Sequence, residues 1–355
     1  MSKLEKKVKT DQTPEIKQNS DIFSIVIPTY NSALLLSRCL EALEKQSAPK
    51  SEFEVTVADD GSTDETVEML RQFQARTELK FQWTTIQNAG PGNARNAGVA
   101  VSSGSWIGFM DADVIPRHDW VASALKQLKL NPDAGAFEGS TEVTQRNRAT
   151  PFTHQTENTD GGRYPTCNFL VRRSLAHFHP AYRIPFREDT DLAFSILAAG
   201  YAIIFVPELV VEHPPLPSSY ARPLNLARRY YYDGLLARRF PERYQKELDA
   251  HLLLGCKIPH LKRKLYAIFA LSQIVFLAAL LLGFAGTAFF ISGSAYLGGL
   301  VLTAAASLRY AKLRDLSFKD WLVFVFQLHI LPWVMGYSLL RGWRDFRGES
   351  KNIPD

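Results

Sequence analysis

Aspartate recurs in this chain where an apolar, strand-like run stops. Asp59 and Asp60 close "FEVTVA", and Asp111 and Asp113 close "WIGFM" with one small residue between them. Carboxylates are costly to bury and aspartate is a poor strand former, so these positions call for a use. A D-x-D turn can present both carboxylates to one hard cation, Mg2+ or Mn2+, which prefers oxygen ligands and bridges to phosphate oxygens. Taken alone, such a pair is better explained as a solvated or helix-capping turn. Other catalytic signatures are missing: there is no G-x-S-x-G elbow and no G-x-x-x-x-G-K-[ST] loop, and "NAGPGNARNAG" is a lone Gly-rich loop.

The elements that must position these carboxylates follow one plan. "FSIVIPTYN" is a β-branched run suited to a strand buried on both faces, and "SALLLSRCLEALEKQ" follows with helical apolar spacing and Ser32 as N-cap. A strand over Phe53–Ala58, an acidic turn and a helix from about Asp64 repeat the unit. "LKFQWTTIQNAGPGNARNAGVAVSS" supplies a third strand, loop and helix, "WIGFMDAD" a fourth strand, and 120–130 a further helix. This alternation predicts an α/β fold on a mostly parallel sheet, with ligands at the carboxyl ends of the strands, where the acidic turns lie. After an irregular stretch over about 133–185, "FREDTDLAFSILAAGYAIIFVPELVVEHPP" reads as helix, strand and turn.

Charge divides the chain. Residues 1–221 carry 22 Lys/Arg against 27 Asp/Glu, whereas residues 222–355 carry 19 against 9. The basic half also holds the longest apolar runs, which points to a membrane rather than nucleic acid. The polar stretch 1–20 lacks the apolar core of a signal peptide and reads as a disordered tail ahead of a catalytic domain over 21–219. The basic, aromatic segment 220–262 suits a membrane surface, and 263–355 holds two or three spans, about 265–290, 295–311 and 320–340, with "ISGS" at 291–294 as the turn between the first two. Lys262, Arg263 and Lys264 before the first span, and Arg309, Lys312 and Arg314 after the second, place the catalytic domain on the cytoplasmic face of the cell membrane. The third stretch, with His329 and Pro332, conflicts with that scheme: crossing would put Arg341, Arg344 and Arg347 outside, so a tilted, re-entrant or interfacial placement stays open. Cys39, Cys167 and Cys256 form no disulfide or metal spacing, as in a reducing compartment.

The order P-T-Y-N, A-D-D-G-S-T-D, N-A-G-x-x-x-A-R-N-x-G, M-D-A-D and R-E-D-x-D, over about residues 22–215, resembles glycosyltransferase family 2, the inverting enzymes of GT-A fold, in its membrane-anchored bacterial form. The resemblance implies a Rossmann-like GT-A domain followed by transmembrane helices. Pro28, Thr29 and Tyr30 match the segment that holds the base and ribose of the donor nucleotide, and one of Asp59 and Asp60 matches the aspartate that reads the base, usually uracil. Arg95 matches an arginine near the donor diphosphate, with a surface ion pair as its plainer reading. Asp111 and Asp113 match the pair that holds the Mg2+ or Mn2+ and the donor's ribose or diphosphate. Glu188 and Asp189 match the family's E-D pair, with Asp189 as general base, Arg187 as an orienting group, and Asp191 as a rival whose plainer role is an N-cap. "PTCNFLVRRS" is similar to the acceptor-side segment, which would set Thr166, Cys167 and Asn168 against the acceptor; it also reads as a buried strand. His213 stands where some GT-A enzymes place a further metal ligand, or is a structural histidine. His177 and His179 alternate like strand neighbours and have no evident third ligand. A Q-x-x-R-W motif is missing and the "QRNR" run from Gln145 is a faint echo, which favours transfer of a single sugar.

The expected activity is therefore metal-dependent transfer of a sugar from a nucleotide donor, UDP-linked, to a lipid-linked or glycan acceptor in cell-envelope, exopolysaccharide or glycolipid synthesis, with no nucleic-acid partner. A nucleotidyltransferase is the rival within enzymes, although "PTYNSALLLSR" lacks the Gly-rich, basic loop expected after its first strand. A non-catalytic membrane partner protein of the same fold is the rival outside them.

Overall fold

The computed structural model describes residues 19–144, 150–248, 251–253, 256–284, 286–307 and 316–349. Three features read from sequence lie outside these residues: the N-terminal tail up to residue 18, the run from Gln145, and the Arg309, Lys312 and Arg314 flank.

Four strands lie parallel in the order β3 (Lys80–Thr85), β2 (Phe53–Asp59), β1 (Asn19–Thr29) and β4 (Gly104–Met110). β1 begins before the expected Phe23, and Thr29 pairs with Asp59, so the first two carboxyl ends are level. Beyond β4 the sheet is mixed. β7 (Asn168–Arg172) runs antiparallel to β4 and to β6 (Ala136–Val143), β8 (Ile203–His213) runs parallel to β6, and the short β5 (Ile115–Pro116) closes the edge. Every residue of β2 is buried, as its unbroken apolar pattern requires of a central strand.

Helices cover both faces. On one side α1 (Ala33–Glu44), α2 (Thr66–Arg76) and α4 (Trp120–Leu130) bury Leu36, Leu40, Leu70, Phe73 and Trp120 against Ile25, Ile27 and Val55. On the other, α5 (Glu188–Ala198) buries Leu192 and Ile196 against Val26, Ile107 and Phe109. α3 (Pro91–Val101) comes close to β1 because Gly98 lacks a Cβ, which would otherwise overlap Val26.

The basic segment after β8 folds as α6 (Arg222–Arg229), a 3-10 turn over Tyr230–Tyr232, α7 (Asp233–Arg239) and α8 (Pro241–Lys246), followed by a hairpin of β9 (His251–Leu253) and β10 (Cys256–Ile258). Three helices after it are long and apolar enough to cross a membrane: α9 (Leu261–Leu281), α10 (Thr287–Ser307) and α11 (Phe318–Asp345). The turn between α9 and α10 is not "ISGS". α9 ends at Leu281 and α10 begins at Thr287; between them Gly283 and Gly286 take φ of 67° and 68°, while Ser292 lies inside α10 and its hydroxyl donates to Phe289 O. Glycine reaches that backbone region freely, and a serine inside a helix can satisfy itself on the preceding turn.

α11 opens on a capping box between Ser317 and Asp320 and then runs alongside the 220–239 segment. Near its start, the Tyr220 hydroxyl donates to Asp320 Oδ1 (2.7 Å) and Gln327 Nε2 donates to Tyr220 O (2.6 Å). Near its end, Gly342 meets Gly234 backbone to backbone, and a Cβ at Gly342 would overlap the Tyr231 carbonyl oxygen. Gly342→Ala should therefore push α11 off the Tyr230–Tyr232 turn, at a cost of about 1–3 kcal/mol. Thermal unfolding of the detergent-solubilised chain reads this as a lowered Tm; an unchanged Tm would show that the glycine contact is not needed.

Candidate active site

The loops at the carboxyl ends of β1, β2 and β4 are tied to one another before any ligand is considered. Asn31, at φ 49°, accepts from the Thr63 amide (2.7 Å) through its side chain and donates its own amide to Ser62 Oγ (2.8 Å), which joins the β1–α1 and β2–α2 loops. The two neighbouring aspartates have different fates. Asp59 is wholly buried and its carboxylate accepts from the Ser62 amide (3.1 Å), closing its own turn. Asp60 faces the cleft and accepts from the amides of Ala89 (2.7 Å) and Gly90 (2.9 Å), which fixes the Gly-rich loop ahead of α3.

Arg95 projects from α3 and is 3 % exposed. Its guanidinium donates to Asp111 Oδ1 (2.6 Å), lies 3.5 Å from Glu188 Oε1 and stands over the Phe178 ring. It is not a surface ion pair but a buried clamp between the end of β4 and the start of α5. Burial lowers its pKa, but the carboxylates of Asp111 and Glu188 outweigh that and leave it raised.

Asp113 points away from Arg95 toward two histidines. The ligand atoms of Asp113, His154 and His213 all lie within 4.8 Å of one another. His213 Nδ1 contacts Pro214 O (2.9 Å), and because a carbonyl only accepts, that nitrogen carries the hydrogen. His213 Nε2 then offers a lone pair toward Asp113 Oδ2 at 3.7 Å, two acceptors face to face, while Asp113 Oδ1 is buried without a partner. Burial and then Asp111 raise the Asp113 carboxyl. Burial and then Arg222 push His154 down to about 3, so its imidazole is neutral near pH 7. Facing acceptors and an orphaned carboxylate oxygen fit a divalent cation on Asp113 and His213, and the His213 contact to a backbone carbonyl is the usual support of a metal-bound imidazole; the neutral His154 stands beside them with its Nδ1 lone pair taken by the Arg222 guanidinium.

The R-E-D-T-D run begins α5 from a left-handed residue, Arg187 at φ 75°. Arg187 Nε donates to Asp233 Oδ1 (2.8 Å) in α7, and its charge also acts on the Asp189 carboxyl, which it lowers against the effect of burial. Asp191 is not an N-cap: its carboxylate is held by Arg239 Nε (2.6 Å), also from α7, and by the Tyr182 hydroxyl (3.1 Å). These crossed ion pairs leave Glu188 and Asp189 to face the cleft. Burial, and then the adjacent Asp189, push Glu188 up to about 7, and burial raises Asp189 as well. The Asp189 carboxylate accepts from the Thr190 amide (2.6 Å), whereas Glu188 Oε2 has no partner.

One cleft of about 920 Å3 takes in Pro28, Thr29, Tyr30, Asp60, Arg95, Asp111, Asp113, Thr166, Cys167, Glu188 and Asp189. Asn168 is not among its walls. It is wholly buried, receives Trp120 Nε1 (2.9 Å) and donates to Ser140 O and Leu209 O, so its amide holds three elements of the core together. His213 adjoins the cleft through Asp113. Sequence reasoning missed His154, Arg222 and Arg229, which all line the cleft. His154 lies in an irregular stretch with no spacing to mark it. Arg222, Asn225, Leu226 and Arg229 repeat at helical spacing and so share one face of α6, a signal that was present in the sequence.

Residues 24–191 match the family described as glycosyl transferase family 2. The glycosyltransferase AglE of Haloferax volcanii is 29% identical over 205 residues, which cover 55% of this chain and 67% of that protein. The poly(ribitol-phosphate) beta-N-acetylglucosaminyltransferase TarS of Staphylococcus aureus is 38% identical over 91 residues, 26% of this chain and 16% of that one, so the shared part is a small portion of the relative. Among solved structures, the mannosyltransferase PcManGT from Pyrobaculum calidifontis, in complex with GDP-Man and Mn2+, has the same fold, with a TM-score of 0.53 at 19% identity over 94% of this chain and 91% of that one.

The pairing of α5 with α7 is open to a double-mutant cycle. Asp191→Ala and Arg239→Ala should each cost about 3–5 kcal/mol, because each strands a buried charge. The double variant should cost clearly less than the sum, read by denaturant unfolding, and simple additivity would show that the two groups do not depend on one another.

Proposed function

This chain belongs over residues 24–191 to glycosyl transferase family 2, and from that premise we propose that it moves a sugar from a nucleoside-diphosphate donor, a UDP-sugar, to a hydroxyl of a lipid-linked or glycan acceptor in envelope glycan or glycolipid synthesis. The observation that carries this reading is the convergence of Asp60, Arg95, Asp111, Asp113 and the Glu188–Asp189 pair on one cleft at the carboxyl edge of the sheet. Pro28, Thr29 and Tyr30 form the wall for base and ribose, and Asp60, which faces the cleft, reads the base in preference to Asp59, which is spent on its own turn. Asp111 meets the ribose or diphosphate with Arg95 behind it.

A divalent cation on Asp113 and His213 would neutralise the charge that develops on the departing nucleoside diphosphate. The imidazole nitrogen suits Mn2+ better than Mg2+. Two adjoining buried carboxylates resist double ionisation, and the Thr190 amide on Asp189 favours keeping the charge there and the proton on Glu188. Asp189 then takes the proton of the acceptor hydroxyl as it attacks the anomeric carbon from the face opposite the nucleotide, which inverts that centre.

The α9–α10 hairpin crosses the membrane and returns, with the catalytic domain on the cytoplasmic side. α11 lies in the interface instead of crossing: both its ends touch the 220–239 segment, which is itself locked to α5 by Asp233 and Arg239. This placement removes the conflict over Arg341 and Arg344.

Asp189→Asn should lower transfer by about 10²–10⁴-fold while UDP affinity by calorimetry stays the same; full transfer in that variant would remove Asp189 from the reaction. Asp113→Ala and His213→Ala should each abolish the gain in UDP affinity that Mn2+ gives the parent protein. If the gain persists in either variant, that side chain does not hold the ion.

A further inference from the structure

A second groove, of about 660 Å3, lies between the 3-10 turn after α6 and the outer half of α11, within the size range of small-molecule sites. Its walls include Arg228, Tyr231, Trp333, Tyr337 and Arg341, and Ile184 is shared with the catalytic cleft, so the two spaces meet at the loop just before Arg187-Glu188-Asp189. Trp333 is 47% and Tyr337 68% exposed, on a helix whose neighbouring Leu340 is 74% exposed, so this face is apolar with polar tips. The groove is also cationic. Among the described residues Arg228 has no carboxylate partner, its guanidinium donating only to the neutral Asn225 side chain (3.3 Å). Arg341 shares the single carboxylate of Asp345 with Arg344 and stacks over the Tyr231 ring.

An apolar trough with arginines at its rim and an opening to a base is matched by a molecule with a greasy chain, an anionic phosphate and a hydroxyl-bearing head. Arginine binds phosphate bidentately, and aromatic side chains accept alkyl surface at a water boundary. We propose that this groove seats the apolar chain of a lipid acceptor whose phosphate is held by Arg228 and Arg341, so that its head passes Ile184 into the catalytic cleft. Arg229, on the cleft side of α6, donates to Pro185 O (3.0 Å) and holds the sill over which that head must pass. The acceptor's role in the reaction rests on the glycosyltransferase reading; the binding of a lipid phosphate does not.

The full chain in neutral detergent is titrated by calorimetry with dodecyl phosphate, dodecanol and inorganic phosphate, each below its own aggregation limit. Dodecyl phosphate should bind at least about tenfold more tightly than either other probe. The Arg228→Gln/Arg341→Gln variant should lose at least about tenfold of that affinity, as should Trp333→Ala. UDP titrations of the same proteins report separately on the donor cleft and serve as the check of folding. Equal binding of dodecanol, displacement by inorganic phosphate at matched concentration, or unchanged dodecyl phosphate affinity in the arginine variant would overturn the groove assignment. Failure of the parent to bind UDP, with dodecyl phosphate binding intact, would overturn the donor reading and leave the groove standing.

Discussion

Asp233 has no exposed surface, and two guanidiniums from distant elements converge on its carboxylate: Arg187, ahead of α5, and Arg263, in α9. A buried carboxylate is tolerated only with close, well-aligned counter-charge, and removing one partner strands the other in a low-dielectric surround. Asp233 thus binds the turn that presents Glu188 and Asp189 to the first apolar helix. The crossed partner pair, Asp191 with Arg239, makes the same connection in the opposite charge sense. With one positive and one negative group on each element, α5 and α7 are held in register as well as in contact. One of the three basic residues that flank the first span in sequence, Arg263, is for this reason a structural ligand of the catalytic half.

The cleft itself follows an analogous rule. Negative side chains accumulate there, and each is stabilised by a different device. Backbone amides hold Asp60, Arg95 holds Asp111 and approaches Glu188, and Asp113 is left facing two imidazoles. Among the described residues, Asp113 and Glu188 are the carboxylates with an orphaned oxygen, and burial raises both. Buried carboxylates with unmet demand for hydrogen bonds or charge, gathered in one cleft, are what separate a site from a solvated acidic turn.

The apolar half adds geometry that hydropathy cannot express. α11 has the length and composition of a span, yet it lies beside a polar, arginine-rich segment, with Gly234 and Gly342 permitting backbone contact. Its inner face packs Phe324, Leu328, Leu331 and Met335 against Ala227 and Tyr266, while its outer face keeps Trp333 and Tyr337 exposed. Mean hydropathy averages over these two faces and does not distinguish the protein-facing side from the exposed one.

Strand runs closed by aspartate, and helices between them, were legible by themselves, because a strand buried on both faces must be apolar throughout and its polar residues are pushed to its ends. Asp60, Arg95, Asp111, Asp113, Glu188 and Asp189 could for this reason be named from spacing and resemblance. The tertiary structure decided what local pattern leaves degenerate. Asp59 and Asp60 are adjacent and chemically identical, and only the position of the Ala89–Gly90 amides separates them. Asn168 fits an acceptor-side strand equally well in sequence, and Trp120 draws it into the core. Arg187 and Asp191 look like local partners of their neighbours, and their carboxylate and guanidinium partners lie 46 and 48 positions away. His154 had no periodicity to announce it. Periodicity records which face of an element is dry; the partner across a charged contact is chosen by how distant elements pack, and that information exists only once the chain has folded.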